Sequence, residues 1–205
     1  MKEVIFLGKR RGSGSPKAQW PDADLWGVTH ANQKYGRLGM ITDWSSWWDL
    51  HPLNPTPFYR GIKAKRPNTY SWYRTLPGPG DPGYRPLFLL DDCLQEKPPI
   101  PAAVVFQWRR VLEAFPPAPG ENGSWLTCQV DWMFGHAILE GYEHIILHGH
   151  GVSMEPAHMV AHRGVMHWVT LARERGIRVT IVPPSWYIAP EKPYGVAAGG
   201  LGVRK

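Results

Sequence analysis

The sequence predicts a single α/β domain in which helices cover a mostly parallel sheet, giving a three-layer sandwich. Short apolar segments of strand length occur at Glu3–Leu7, His144–His148 and Arg178–Val182. The last two are separated by His158–Arg175, which has apolar residues at helical spacing and is followed by Gly176, a residue suited to ending a helix. This alternation of strand and helix is typical of βαβ units, in which neighbouring strands run parallel.

The other predicted elements fit the same pattern. Asp24–Val28 is a second strand, and a third element begins at Met40–Asp43 and runs into Trp47–His51. Pro101–Phe115 carries apolar residues at helical spacing, and Gln129–Leu139 is an amphipathic helix that leads into the strand at residue 144. We therefore expect one domain that spans residues 1–205.

Proline and glycine dominate the stretch Pro52–Pro101. Proline lacks the backbone donor that a central strand needs, so this stretch is expected to supply few central strands. We interpret it as an insertion or lid-like excursion without a core of its own. Within it, Phe88–Asp92 is expected to form one short strand or a turn.

Composition limits the class of protein. A chain of 205 residues that is 43% hydrophobic can form one ordinary core. No apolar run approaches the ~20 residues that span a bilayer, and the first residues contain too short an apolar run for a signal peptide. The two cysteines do not form a disulfide framework and indicate a reducing cytoplasm.

The formal net charge of +6 suits an anionic ligand such as a nucleotide, a nucleic acid or a phospholipid surface. The loop Gly8–Pro16 (GKRRGSGSP) combines glycines, small hydroxyls and three cations directly after the first strand. Backbone N–H groups can approach a phosphate closely where no Cβ intervenes, and the cations add to the field. The loop matches neither the P-loop nor G-x-G-x-x-G, so an ordinary surface loop is the alternative.

Histidines cluster after the predicted strand at residues 144–148. His148 and His150 alternate, and Glu155 follows them, as in the metal-binding motif of cupins. A cupin places that motif in an all-β barrel, whereas here a helix precedes the segment and another follows it. We therefore expect no metal site and keep His148, His150 and Glu155 as a weaker metal alternative beside hydrogen-bonded histidines at a strand end.

Tryptophan is abundant, with 11 residues in the chain. Trp47, Trp48 and Asp49 are consecutive, and Trp72 stands between two tyrosines at a short distance along the sequence. Indole rings stack on bases and sugars, and Asp49 adds a carboxylate beside them. Trp47, Trp48, Asp49 and Trp72 are therefore the predicted substrate-binding residues. Packing in the core is the alternative role for the tryptophans.

Taken in order, these segments resemble a phage-type family of uncharacterised α/β proteins, which implies a host cytoplasmic location. The matching segments are Gly8–Pro16, Trp26–Thr29 (WGVT), Ser45–His51, Thr127–Met154, the strand region from Arg175-Gly176 to Pro184-Ser185, and Tyr194-Gly195. The central one, Thr127–Met154, is also similar to bacterial sialyltransferases that use a cytidine monophosphate sugar and have a Rossmann-like nucleotide-binding domain.

This second resemblance implies a nucleotide pocket and metal-independent chemistry with a histidine as general base. The implied catalytic candidates are His158, His51 and Glu155. The implied nucleotide-binding residues are Gly8, Arg10, Arg11, Gly12, Ser13, Ser15, Thr29, Thr127, Gln129, Gly149, Gly151 and Ser153. Against the phage-type pattern, Thr29 stands in place of Asn, Cys128 in place of Ser, and Ser153 in place of Asp, which implies a changed ligand or lost chemistry.

Four function classes follow from these patterns. The first is a nucleotide- or nucleotide-sugar-dependent transferase of the glycosyltransferase kind, with no cofactor other than that ligand. The second is a non-catalytic protein that sequesters a nucleotide in the same pocket. The third is a nucleic-acid-associated phage protein, favoured by the sequence pI of about 9.4, and the fourth is a cupin-like metalloprotein. The sequence does not indicate the oligomeric state.

Overall fold

The computed structural model describes residues 1–8, 16–28, 41–50, 72–90, 99–117, 125–150 and 156–182. Its strands are β1 (Glu3–Leu7), β2 (Asp24–Val28), β3 (Ser46–Asp49), β4 (Leu87–Leu89), β5 (Ala103–Val105), β6 (His144–His148) and β7 (Arg178–Val182). Its helices are α1 (Trp108–Ala114), α2 (Gln129–Leu139) and α3 (Pro156–Glu174). Among the described helices, none combines the length and the apolar character that crossing a bilayer requires.

All seven strands form one sheet in the order β5-β4-β3-β2-β1-β6-β7, and every neighbouring pair is parallel. From β1 the chain builds outward in one direction as far as β5, and it then returns to the other side of β1 with β6 and β7. The direction of winding therefore changes between β1 and β6. The predicted α/β, Rossmann-like fold with a mostly parallel sheet is confirmed.

The sheet separates two apolar clusters because successive strand side chains point to opposite faces. Val4 and Phe6 of β1 face the three helices, where Phe134 and Trp168 also lie buried. Ile5 and Leu7 belong to the cluster on the other face, which the described part of the chain covers with short segments near residues 16–23, 41–45, 72–76 and 99–102.

Strands β1, β2, β6 and β7 and helix α2 have the predicted bounds. The third predicted element is wrong at its start, because β3 begins only at Ser46, which pairs with Trp26 of β2. The expected helix over Pro101–Phe115 is also wrong at its start. Ala103–Val105 forms edge strand β5, since Phe88 of β4 offers an open edge that pairs with Val104, and α1 begins only at Trp108.

The described residues of the proline-rich stretch contribute to the core of the domain. Tyr73, Leu76, Leu87 and Leu89 are buried in the cluster on the face opposite the helices. Strand β4 lies between β3 and β5. It can pair on both sides because it contains no proline, the nearest one being Pro86 directly before it. The stretch thus supplies one inner strand, in the position where a short strand or a turn was expected.

Candidate functional site

β1 and β6 are neighbouring parallel strands, so their carboxyl ends lie side by side at one edge of the sheet, where the direction of winding changes. In open parallel sheets this switch point leaves a crevice in which ligands bind, because the connections leave the two strands in opposite directions. Leu7 pairs with His148 at the ends of the two strands. Gly8 and Gly149 follow them, so these glycines mark the crevice.

The backbones of Gly8 and Gly149 pass each other in close contact, and we call this contact the glycine crossing. The Gly8 N–H donates a hydrogen bond of 2.9 Å to the carbonyl oxygen of His148. A Cβ atom on Gly8 would lie 2.5 Å from the Gly149 carbonyl oxygen and 2.9 Å from Cα of His150. Gly149 has φ +68°, a left-handed conformation that favours glycine. Two predicted nucleotide-binding residues therefore meet at the switch point.

His148 occupies the last position of β6 at the glycine crossing. It projects from the same face as Ile146, away from the helices, and the indole of Trp20 lies edge-on to its ring with 6.4 Å between centroids. The side chain is 6% exposed, and its Nδ1 has no hydrogen-bond partner among the described residues. Burial lowers the pKa of His148, so the ring is uncharged near neutral pH.

An unpaired buried polar atom costs on the order of 1–3 kcal/mol, which makes His148 a candidate for contact with a ligand. From the sequence, this residue was expected to be a hydrogen-bonded histidine at a strand end, with metal binding as the weaker alternative. Its place at the switch point follows from the strand order, which only the folded sheet reveals.

His150 anchors the turn that follows β6. Its Nε2 lies 2.8 Å from the carbonyl oxygen of Phe6, so this nitrogen carries the proton and donates. Burial lowers the pKa of His150 to about 4. The bond ties the turn to the backbone of β1 and gives His150 a structural role at the glycine crossing.

The weaker metal alternative concerns the same two histidines. Nε2 of His150 is bonded to Phe6, and the described residues contain no group of three histidine, cysteine or carboxylate side chains that could hold a metal ion. Glu155, the third proposed ligand, lies outside the described residues.

Gln129 lies at the start of α2 and joins this helix to the carboxyl end of β3. Its Nε2 donates to the carbonyl oxygen of Trp48 at 2.9 Å, and its Oε1 accepts from the Leu50 N–H at 3.3 Å. The predicted nucleotide-binding residue thus lies at the expected edge of the sheet. Its amide is engaged with the backbone, and its role toward a nucleotide stays a prediction.

Asp131 holds the first turn of α2 together, a role that the sequence analysis missed. One carboxylate oxygen, Oδ2, accepts from the Thr127 N–H at 2.7 Å, the Thr127 hydroxyl at 2.8 Å and the Cys128 N–H at 2.9 Å. An acidic residue three positions after the N-cap is the signal for such a turn. The hydroxyl of Thr127, another predicted nucleotide-binding residue, is thereby engaged within its own turn.

The surroundings of Asp131 are closely packed. A Cβ atom on Gly164 of α3 would lie 2.4 Å from Oδ2, and the other oxygen, Oδ1, is buried without a hydrogen-bond partner in the described structure. Burial raises the pKa of Asp131 to about 7, even though its hydrogen bonds oppose this rise. The start of α2 is therefore sensitive to protonation near neutral pH.

The structure assigns Trp48 to the core. It is 0% exposed and packs between Trp26 and Phe88, with centroid distances of 4.9 and 4.4 Å, while its Nε1 donates to Ser46 Oγ at 2.9 Å. Because no face of the indole is left for a ligand, the substrate-binding prediction for Trp48 is wrong. The alternation of strand side chains explains this outcome, since Trp48 faces the helices.

The other predicted substrate-binding residues lie on the opposite face of the sheet. Trp47 is 8% exposed and packs against half-buried Trp72, with 5.4 Å between centroids. Buried Asp49 accepts a hydrogen bond of 3.1 Å from the Tyr73 hydroxyl. Their role toward a substrate stays a prediction.

The remaining predicted site residues divide into those outside the described residues and His158. Those outside the described residues are Arg10, Arg11, Gly12, Ser13, Ser15, Thr29, His51, Gly151, Ser153 and Glu155. His158 lies in the first turn of α3, which begins after residue 155.

Comparison of the chain with protein-family models, with curated proteins and with solved structures finds no match. The likeness to sialyltransferases therefore rests on the sequence motifs alone.

Proposed function

We propose that the protein binds a nucleotide or nucleotide sugar at the glycine crossing and acts as a glycosyltransferase-like transferase. The observation that supports this most is the close approach of Gly8 to the backbone of Gly149 at a switch point of a parallel sheet. A Cβ atom on Gly8 would lie 2.5 Å from the Gly149 carbonyl oxygen. Rossmann-type domains receive phosphates at a glycine-rich turn after the first strand, in the crevice at the change of winding. This chain has a glycine directly after β1 at such a change of winding.

The phosphate groups are assigned to the segment that continues from Gly8. Lys9, Arg10 and Arg11 follow this glycine directly, and small residues succeed them. Cations and exposed N–H groups favour a bound phosphate, and they stabilise the charge that develops on a departing nucleotide.

In the transfer step, the hydroxyl of an acceptor attacks the anomeric carbon of the sugar, and the bond from that carbon to the phosphate oxygen breaks. The nucleotide leaves with the electron pair, and the acceptor proton passes to a general base. His158 and His51 are the candidates for this base, with Glu155 as a third. The positive charge of the Gly8–Pro16 loop is assigned to the leaving phosphate, so no metal ion is required.

Non-catalytic binding in the same crevice is the second candidate. Thr29 and Ser153 stand where the phage-type family pattern has Asn and Asp, the groups most suited to hydrogen-bonding a base or ribose. Replacing Asn and Asp by Thr29 and Ser153 leaves the glycine crossing in place and removes groups that catalysis would need. Binding and transfer must therefore be measured separately.

The first experiment is a thermal-shift panel of cytidine and uridine nucleotides and nucleotide sugars, with and without chelator. A ligand at about 100 times its dissociation constant adds about 2.7 kcal/mol to the free energy of unfolding, which a melting curve resolves. A shift that is indifferent to chelator supports the proposal. A panel without any shift contradicts it, and a lower melting temperature with chelator alone supports the metalloprotein instead.

Arg10 and Arg11 provide the matching variants. We expect R10A/R11A to weaken nucleotide binding while leaving the melting temperature of the free protein nearly unchanged. R109A/R110A in α1 removes the same charge from another surface and serves as the control, since among the described residues these side chains make an exposed ion pair with Glu140 and a contact with the Trp108 ring. Release of free nucleotide from the sugar donor, followed by chromatography, then separates transferase from binding protein.

A further inference from the structure

A cavity of about 290 Å³ lies on the helix side of the sheet, between the end of α1 and the second half of α3. Its volume is close to the lower end of the range for small-molecule sites, so it has room for one small ligand. None of its lining residues belongs to the glycine crossing. We call it the aromatic cavity, and the residues that give it its character are Phe115, Trp125, Leu126, His167, Trp168 and Arg175.

The aromatic walls of this cavity are held in place by contacts among themselves. Buried Trp168 donates a hydrogen bond of 3.0 Å from Nε1 to the carbonyl oxygen of Trp125, and the Phe115 ring meets the Trp168 ring edge-on at 5.0 Å. The His167 ring stacks on the Trp125 indole with 5.0 Å between centroids and 17° between planes. Trp125 nevertheless remains 38% exposed. The cavity therefore offers preformed aromatic surfaces, which favour a flat ring as ligand.

Arg175, which follows the last residue of α3, gives the cavity a positive charge. Its guanidinium lies 4.9 Å from the centroid of the Phe115 ring, and the residue is exposed. Among the described residues it forms no ion pair with a carboxylate, and the lining of the cavity contains no aspartate or glutamate. A guanidinium matches the planar geometry of a carboxylate, to which it can donate two parallel hydrogen bonds.

We propose that the aromatic cavity binds a small aromatic carboxylate, with the ring against the aromatic walls and the carboxylate on Arg175. The ligand class is one ring, or a fused pair of rings, that bears a short acidic side chain. Residues 118–124, which connect the lining residues Pro117 and Trp125, read APGENGS and contribute no ring of their own to such a site. This binding site is separate from the proposed nucleotide function and does not depend on it.

The test uses three probes of similar size, indole-3-acetate, its uncharged amide indole-3-acetamide, and cyclohexylacetate, which has the acid without an aromatic ring. Their affinities are measured by titration calorimetry on the wild-type protein. Indole-3-acetate is expected to bind about tenfold more tightly than the amide, because the amide cannot form the charge-assisted bonds to Arg175. It is also expected to bind more tightly than cyclohexylacetate, which cannot stack on the aromatic walls.

Variants assign the binding to this cavity. R175Q should bind indole-3-acetate and its amide equally. R109Q is the matched control, since the Arg109 guanidinium lies over the Trp108 ring at 5.0 Å in the same kind of contact outside the cavity, and it should keep the wild-type preference. A114F places a ring in the cavity from an exposed position of α1, so it should abolish binding while leaving the melting temperature nearly unchanged. W125A should weaken the binding of both indole probes.

Four results would overturn the proposal. The first is the absence of saturable binding of indole-3-acetate at concentrations up to about 5 mM. The second is equal affinity of the wild-type protein for the acid and the amide. The third is a preference for the acid that survives in R175Q or is lost equally in R109Q. The fourth is undiminished binding in A114F, which would place the ligand elsewhere. If W125A does not fold, R175Q and A114F decide.

Discussion

Gly8 and Gly149 pass each other so closely that a Cβ atom on Gly8 would lie 2.5 Å from the carbonyl oxygen of Gly149. Both partners are backbone, and each is held by a paired strand, so neither can move aside cheaply. This contact brings together two segments that are far apart in the sequence. It also locates the crevice on which the proposed function depends.

We predict that G8A lowers the free energy of unfolding by about 1–3 kcal/mol, because overpacking against a fixed backbone forces local displacement. Urea denaturation measures the change. G78A is the matched control, since its new Cβ would meet the Pro101 side chain at 3.4 Å, an ordinary contact. Equal stability of G8A and the wild-type protein would show that the crossing is looser than described.

A second prediction concerns the pH dependence of stability. The pKa of His150 falls to about 4 in the folded state, from an ordinary value of 6.5. Between these values the unfolded chain binds more protons, so this residue makes the protein less stable as the pH falls. The pKa of Asp131 rises from 3.8 to about 7, so this residue makes the protein more stable as the pH falls through the same window.

The two contributions oppose each other between about pH 4 and pH 7, and single variants should separate them. We expect D131N to steepen the loss of stability on acidification, by at most about 1.4 kcal/mol per pH unit, and H150Q to make it shallower. Urea denaturation at a series of pH values gives these slopes. Slopes that change in the same direction in both variants would contradict the assignment.

Gln129 provides a third prediction, because its side chain bonds to the backbone on either side of Asp49. We expect Q129A to lower the free energy of unfolding by about 1–2 kcal/mol, since the carbonyl of Trp48 and the N–H of Leu50 lose their partner. In Q129E a carboxylate oxygen faces the same carbonyl, so this nearly isosteric variant should also be destabilised. If both variants are as stable as the wild-type protein and bind nucleotide less tightly, the ligand role predicted from the sequence is the correct one.

Trp48 of β3 and Trp72, which packs against Trp47, give a fourth prediction. We expect W48A to cost about 3–5 kcal/mol, because a fully buried indole is removed from the helix side of the core. W72A should cost clearly less, since that side chain is only half-buried. Thermal or chemical denaturation of the two variants provides the comparison. A small loss in W48A would mean that this indole is not the core residue described above.

The sequence predicted well those elements whose own side chains determine them. Glu3–Leu7 and Arg178–Val182 are short apolar runs that form strands wherever they find a partner, and Gly176 ends α3 with φ +77° because few other residues adopt that conformation. The glycines that meet at the crossing were also identifiable, because a glycine at the end of a strand indicates a turn.

Elements that depend on a partner could not be predicted in the same way. Ala103–Val105 has apolar residues that fit a helix or a strand equally well, and the open edge of β4 decided for the strand. Trp47 and Trp48 are chemically identical neighbours, and only the pairing of β3 with β2 determined which of them faces the helices.

The sequence by itself determined the fold class, most strand positions and the glycines at the ends of β1 and β6, because these follow from local periodicity and backbone preference. The tertiary structure decided the strand order, and with it the change of winding between β1 and β6. It also decided that the ring of His148 is buried beside Gly8 and Trp20. Burial and the loss of hydrogen-bond partners arise only when segments distant in the sequence pack together, so a string of residues contains no local signal for them.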